Sequence, residues 1–319
     1  MPSMLVSGMS AGIAAAGTYN IRPAVGEAWV IYEVGSEEPF SGNIPDLSYG
    51  IVDGALTLAQ IVQDPTVAAD KGNRPKEIYI TRDNYLEVTN EVAANPCFIS
   101  FTGERVNPNN VITDMVTCPN GAAGTVDIQP PAGETWRITE IGAELYNGGN
   151  NHPEVTIGIT DGTAVDSIII QEVADRGQQK ALDWIIDEDI YLHVINSAAA
   201  DVDIAYCGVR VPLVSIGSIQ DVAGSAVLDI RPPAGEEWVI TEIAVETWAG
   251  AGANIIPHVT VSLNDDTNIS TLLEHSVVSL GWNRKFHIHI DHDTYLSITE
   301  VSTADNEVGV LGYLKRSYS

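Results

Sequence analysis

Residues 128–142 read IQPPAGETWRITEIG, and the phrase returns as IRPAVGEAWVIYEVG at 21–35 and IRPPAGEEWVITEIA at 230–244. The common core is Ile, a polar residue, Pro, two residues, Gly-Glu, one residue, Trp, one residue, Ile, one residue, Glu. A second block follows each copy: Asp83-Asn84-Tyr85-Leu86, Asp189-Ile190-Tyr191-Leu192 and Asp293-Thr294-Tyr295-Leu296. Each Tyr lies 55–57 residues after its Trp, and successive Trp residues lie 107 and 102 apart. Two blocks at matched spacing mark an internal triplication. A period near 100 exceeds the roughly 20–50 residues of solenoid and propeller repeats and fits a small domain with a core of its own.

Working outward, the phrases place domains at 17–106, 124–211 and 224–319, after an N-terminal arm at 1–16. Residues 107–123 contain NPNNVITDMVTCPNG, rich in Asn and Pro, and read as a linker. Residues 212–223 read as a second linker, apolar enough to dock on a neighbour. Trp136 to Ile141, Val155 to Ile159 and Phe286 to Ile290 alternate apolar and polar residues, the period of a half-buried strand. Long stretches of helical period are absent, and Pro-Pro-Ala-Gly, Asp-Gly and Asn-Gly-Gly punctuate the strands. The expected fold class is all-β: three tandem β-sandwich, jelly-roll-like domains of about seven or eight strands each.

Composition narrows the functions. The 319 residues carry 15 Lys+Arg against 43 Asp+Glu, a net charge of −28. That charge repels nucleic-acid phosphates and anionic bilayers, so neither is expected as a partner. No apolar run approaches the roughly 20 residues of a membrane-spanning helix. Cys97, Cys118 and Cys207 are too scattered for a disulfide framework or a zinc site. Arg outnumbers Lys ten to five, and acid-rich, Lys-poor surfaces suit concentrated salt. A halophilic origin and an ordinary acidic protein both fit.

The repeated residues have structural explanations. Pro fixes φ and Gly takes conformations other residues avoid, so the Pro-x-x-Gly segment is a turn. Trp29, Trp136 and Trp238 read as core anchors, with exposed binding aromatics as the alternative. Tyr85, Tyr191 and Tyr295 read as buried corner tyrosines whose hydroxyls bond backbone. Catalytic residues and cofactors are expected to be none. Gly8-Met9-Ser10-Ala11-Gly12 matches G-x-S-x-G, but it lacks the α/β context that gives that motif meaning. His287, His289 and His292 form a local concentration found in the third copy alone. On a strand His287 and His289 share a face and could hold a metal with a carboxylate; the plainer reading is solvent-facing polar side chains. The acidic turns Asp161-Gly162 and Asp265-Asp266 show no calcium-loop pattern.

The phrase R-P-P-A-G-E-x-W-x-I-T-E-I with the later D-x-Y-L resembles modules of virion structural proteins from tailed phages and haloarchaeal tailed viruses. The likeness covers residues 17–319. It implies a non-enzymatic capsid decoration, turret or tail-associated component on the particle surface, assembled in the host cytoplasm. Implied partners are major capsid or tail proteins and further copies of the chain in a homo-oligomer. A receptor- or carbohydrate-binding spike is the alternative, with Trp184, Trp248 and Trp282, outside the repeated positions, as its candidate aromatics.

Overall fold

The computed structural model describes residues 5–10, 12–14, 17–37, 47–53, 59–64, 73–90, 96–120, 124–145, 155–163, 165–171, 177–197, 200–247, 258–276, 281–300 and 306–317. The first repeat supplies β1 (Leu5–Met9), β2 (Thr18–Ile21), β3 (Ala28–Glu37), β4 (Leu47–Val52), β5 (Ala59–Asp64), β6 (Asn73–Thr81), β7 (Tyr85–Asn90) and β8 (Phe98–Val106). The second supplies β9 (Val111–Cys118), β10 (Gly124–Ile128), β11 (Trp136–Leu145), β12 (Val155–Thr160), β13 (Val165–Gln171), β14 (Gly177–Ile186), β15 (Tyr191–Asn196) and β16 (Val202–Arg210). The third supplies β17 (Val214–Val222), β18 (Val227–Ile230), β19 (Glu236–Thr247), β20 (His258–Asn264), β21 (Ile269–Ser276), β22 (Gly281–Asp291), β23 (Tyr295–Glu300) and β24 (Asn306–Ser317).

Every repeat builds two four-stranded antiparallel sheets. One runs first-eighth-third-sixth (β1-β8-β3-β6, β9-β16-β11-β14, β17-β24-β19-β22). The other runs second-seventh-fourth-fifth (β2-β7-β4-β5, β10-β15-β12-β13, β18-β23-β20-β21). This order is the jelly roll, two Greek keys closed over one core. The fold is therefore all-β, three jelly rolls in tandem.

Three expectations need correction. Leu5–Met9, within the arm expected at 1–16, are not separate: they form β1, which pairs with β8 from Leu5↔Glu104 to Met9↔Ser100. The two expected linkers, 107–123 and 212–223, contain β9 and β17, each the first strand of its jelly roll. Their sequences LVSGM, VITDMVTC and VSIGSIQDV share no phrase. Edge strands that pair along one side only need backbone more than any fixed side chain. The cores are also not separate. Val111, Met115, Ala205 and Cys207 of the second repeat join the first repeat's buried cluster, and Ala244 and Leu311 of the third join the second's.

The quoted phrase encodes a turn and a bulge. Gly26, Gly133 and Gly235 sit at φ +78°, +79° and +90°, a region open to Gly at little cost. Past the Trp, the register slips between Ile31 and Glu33, Ile138 and Glu140, and Ile240 and Glu242, so Tyr32, Thr139 and Thr241 are bulged. Opposite each bulge stands a glycine: Gly103, Gly208 or Gly312. A Cβ there would lie 2.1, 2.0 or 2.2 Å from the carbonyl oxygen of Val30, Arg137 or Val239. The bulge brings two backbones closer than any side chain permits.

Candidate functional site: the joints between repeats

The two repeated blocks meet in space. Arg22 Nε donates to the Arg82 carbonyl at 2.7 Å, and Gln129 Nε2 donates to the Glu188 carbonyl at 2.7 Å. In the third repeat His292 occupies the matching turn position, its Nδ1 3.1 Å from the Pro232 carbonyl. The Arg22 and Arg231 guanidinium carbons lie 4.5 and 3.7 Å above the Tyr85 and Tyr295 rings, a cation–π arrangement. The Tyr295 hydroxyl donates to Asp266 at 2.8 Å, and Arg231 pairs with the same carboxylate at 2.6 Å. In that repeat the tyrosine bonds a side chain, not the expected backbone carbonyl.

The Trp rings sit at the rims of the cores, Trp136 within the second buried cluster and Trp29 and Trp238 packed against the first and third. Trp136 is buried while Trp29 and Trp238 are half-buried. Each indole N–H donates to the Glu two residues earlier: Trp29 to Glu27 at 3.1 Å, Trp136 to Glu134 at 2.8 Å, Trp238 to Glu236 at 2.7 Å. Arg105 and Arg210 hold Glu27 and Glu134 from the far side at 3.0 and 2.7 Å. The Glu in Gly-Glu-x-Trp thus satisfies the one polar atom of a mostly apolar ring.

His287 and His289 share the outer face of β22, both exposed, with ring centroids 5.2 Å apart. Glu237 lies 3.2 Å from His289 Nδ1 and 2.7 Å from Lys315 Nζ. Among the described residues no group of three or more His, Cys, Asp or Glu side chains converges on a metal position. Ser10 is buried beside β1, its hydroxyl accepting the Ile99 N–H at 2.9 Å. Asp265 accepts the Thr267 and Asn268 N–H groups, which hold its carboxyl below the ordinary range. Trp184 is completely buried; Trp248 and the side chain of Trp282 lie outside the described residues.

What the fold assembles instead is a joint, made twice. Edge strands β5 and β6 of the first jelly roll lie across the outer face of β14-β11-β16-β9, and β13 and β14 lie across the outer face of β17-β24-β19-β22. At the first joint the free edge of β6 is capped by side chains. Thr139 Oγ1 donates to the Glu77 carbonyl at 2.7 Å, and the Tyr79 N–H reaches Cys207 Sγ. Arg137 ties the repeats together, 3.1 Å from Glu77 and 2.6 Å from Asp183. Asn84, in the turn after β6, donates to the Thr113 carbonyl. At the second joint Ile190, the counterpart of Asn84, packs against Gly217, the counterpart of Thr113. A Cβ on Gly217 would sit 2.5 Å from Ile190 Cγ1, so that approach requires glycine. Ser215 donates to Asp187 beside it. Sequence inspection missed these residues because the partners lie 27–130 positions apart.

No family model matches the chain, and no curated protein matches it. Among solved structures it is similar to the STIV MCP, at 10% identity and a TM-score of 0.35 over 64% of this chain and 96% of that one. It is also similar to a chain of Sulfolobus Turreted Icosahedral Virus, at 11% identity and a TM-score of 0.34 over 66% and 92%. A third likeness, to the triple jelly roll fold and turret assembly of an archaeal virus, spans 99% and 90% at 11% identity and a TM-score of 0.28. Scores this low carry no fold argument; the assignment above rests on strand order.

Proposed function

We propose that the chain is a non-enzymatic structural protein of a virus particle: a capsid decoration, turret or tail-associated component of a virus from a salt-rich host. The observation that carries this reading is the pair of joints. Three jelly rolls are fastened edge-to-face by capped backbone, a shared ion pair and shared buried clusters. The repeated phrases go into turns, bulges and rims, the investment of a spacer that holds surfaces at fixed separation. The sequence resemblance to virion modules agrees. The similar solved structures named above are themselves virion structures, and the acid-rich, Lys-poor surface suits brine.

In this reading the partners are major capsid or tail proteins and further copies of the chain, on the particle surface, after assembly in the host cytoplasm. The test is mass spectrometry and cryo-EM of particles purified from a producing culture. The chain is expected in the particle at a symmetric copy number. Its recovery in the cell fraction alone would overturn the proposal.

A further inference from the structure

The two joints share one geometry, each laying an edge of one unit across the outer face of the next. Among the described residues no strand of another unit packs on the outer face of β1-β8-β3-β6 beyond β6, or, past β13 on β22, against the β21–β22 edge. Strand register says which residues would meet. Thr102, Cys207 and Leu311 occupy one position, as do Tyr32, Thr139 and Thr241. Ser7, Thr113 and Gly217 occupy a third. On the docking side Tyr79, Ile185 and His289 correspond, preceded by Glu77, Asp183 and His287.

We propose that the β21–β22 edge of one molecule docks on the outer face of β1-β8-β3-β6 of a second copy, repeating the internal joint between chains. This goes beyond the particle role and holds for the isolated protein.

Three observations select a second copy as the occupant. The interface continues a geometry the chain already makes twice, with Thr294 and Ser7 in the places of Asn84–Thr113 and Ile190–Gly217. Exposed apolar side chains gather on these two surfaces. Among the described residues eight large hydrophobics are exposed. Leu5 (83%), Met9 (73%) and Tyr32 (39%) lie on the open face, and Ile269 (69%) and Leu272 (41%) on the open edge. The Glu of the repeated phrase also distinguishes the uncovered face. Glu140 and Glu242 of the repeated phrase are buried where a preceding unit covers them, whereas Glu33 is exposed. Glu33 and Glu104 lie on the open face; Lys285, His287 and His289 lie on the open edge together with Glu274, and Glu237 is 3.2 Å from His289. Because face and edge differ, the contact is heterologous and extends until a ring closes or a filament grows.

The experiment is sedimentation velocity of the full chain up to about 500 µM, a range that registers contacts near 100 µM. Wild type should grow past dimer as concentration rises. Thr102→Arg blocks the face and Ile269→Asp blocks the edge, both at exposed sites. Each variant should stay monomeric, and their equimolar mixture should form a dimer and stop, because one live face meets one live edge. If either variant melts below wild type, Ser100→Arg or His287→Glu takes its place. A monomeric wild type, growth that ends at dimer, assembly unchanged in the variants, or a monomeric mixture would each overturn the proposal. A particle role could fail while this end-to-end contact stands, and the reverse.

Discussion

The Thr139 hydroxyl of the second jelly roll donates a 2.7 Å hydrogen bond to the Glu77 carbonyl of the first. An edge strand carries a row of unpaired N–H and C=O groups, a standing invitation to aggregation. Here the neighbouring sheet covers that row face-on, and Thr139 and Cys207 take the free groups. The same Thr is bulged opposite Gly208, so the bulge that strains local pairing also aims the cap. Turn, bulge and joint are successive consequences of one phrase.

Cys207 should report the opening of that joint. It is fully buried between two jelly rolls, and burial pushes its thiol up to about 12. The thiolate is the reactive form, so native labelling by a maleimide at pH 7.5 is expected to wait for the joint to open. Arg137→Ala removes the ion pair and leaves Glu77 and Asp183 facing each other, at a cost of about 1–2 kcal/mol. The variant should label Cys207 about ten times faster while Cys118, inside the second core, keeps its rate. Equal acceleration of both would mean that Arg137 holds the whole jelly roll and not the joint.

Gly208→Ala should destabilise by about 2–3 kcal/mol, since its Cβ collides with the Arg137 carbonyl oxygen and the backbone must move. Gly103→Ala and Gly312→Ala should act alike in their own repeats. Gly133→Ala is the control: φ is +79° but nothing lies within 4 Å, so only conformational strain of about 1 kcal/mol is expected. Scanning calorimetry of the four variants checks the ranking.

How far the sequence went is visible in these residues. Gly133 and the jelly-roll class were legible, because positive φ and strand alternation are local. Glu134 stood inside the quoted phrase without its role being read: a bond from Trp136 across two positions needs the ring's tilt. The strands β1, β9 and β17 escaped because their pairing partners lie 84–100 residues downstream in each repeat and no phrase marks them. The joint escaped for the same reason, and because Cys207 and Thr139 are unremarkable residues until Glu77 is placed beside them.

Acid should weaken the Trp rims. The Trp136 indole N–H and then the Arg210 guanidinium hold the Glu134 carboxyl below its ordinary value. A carboxyl depressed in the folded state contributes stability above its unfolded value of about 4.3, and loses it as pH falls through the folded value. Glu134→Gln keeps an acceptor for the indole and removes the charge. Its deficit should stay below about 1 kcal/mol at pH 7, as for an exposed pair, and shrink as pH falls through the folded value. A deficit that persisted in acid would show that the charge is not its source.

Salt should raise the melting temperature. Two electrostatic effects oppose each other as NaCl is added. The ion pairs of Arg137 and Arg210 are screened and weaken, but each is partly exposed and worth about 1 kcal/mol or less. The repulsion among 43 carboxylates opposed by only 15 cations is spread over the whole surface. It acts over distances that the Debye length governs, about 10 Å at 0.1 M and about 3 Å at 1 M. Pairs in contact at about 3 Å lose little across that change, whereas carboxylates further apart lose most of their mutual repulsion. The net effect favours the compact state, and it should be larger at pH 8 than at pH 4.5, where part of the carboxylate charge is gone. Thermal melts in 0.1, 0.5, 1 and 3 M NaCl at the two pH values check this. A melting temperature that falls with salt would mean that the local pairs outweigh the surface field and that the acidic surface is no adaptation to brine.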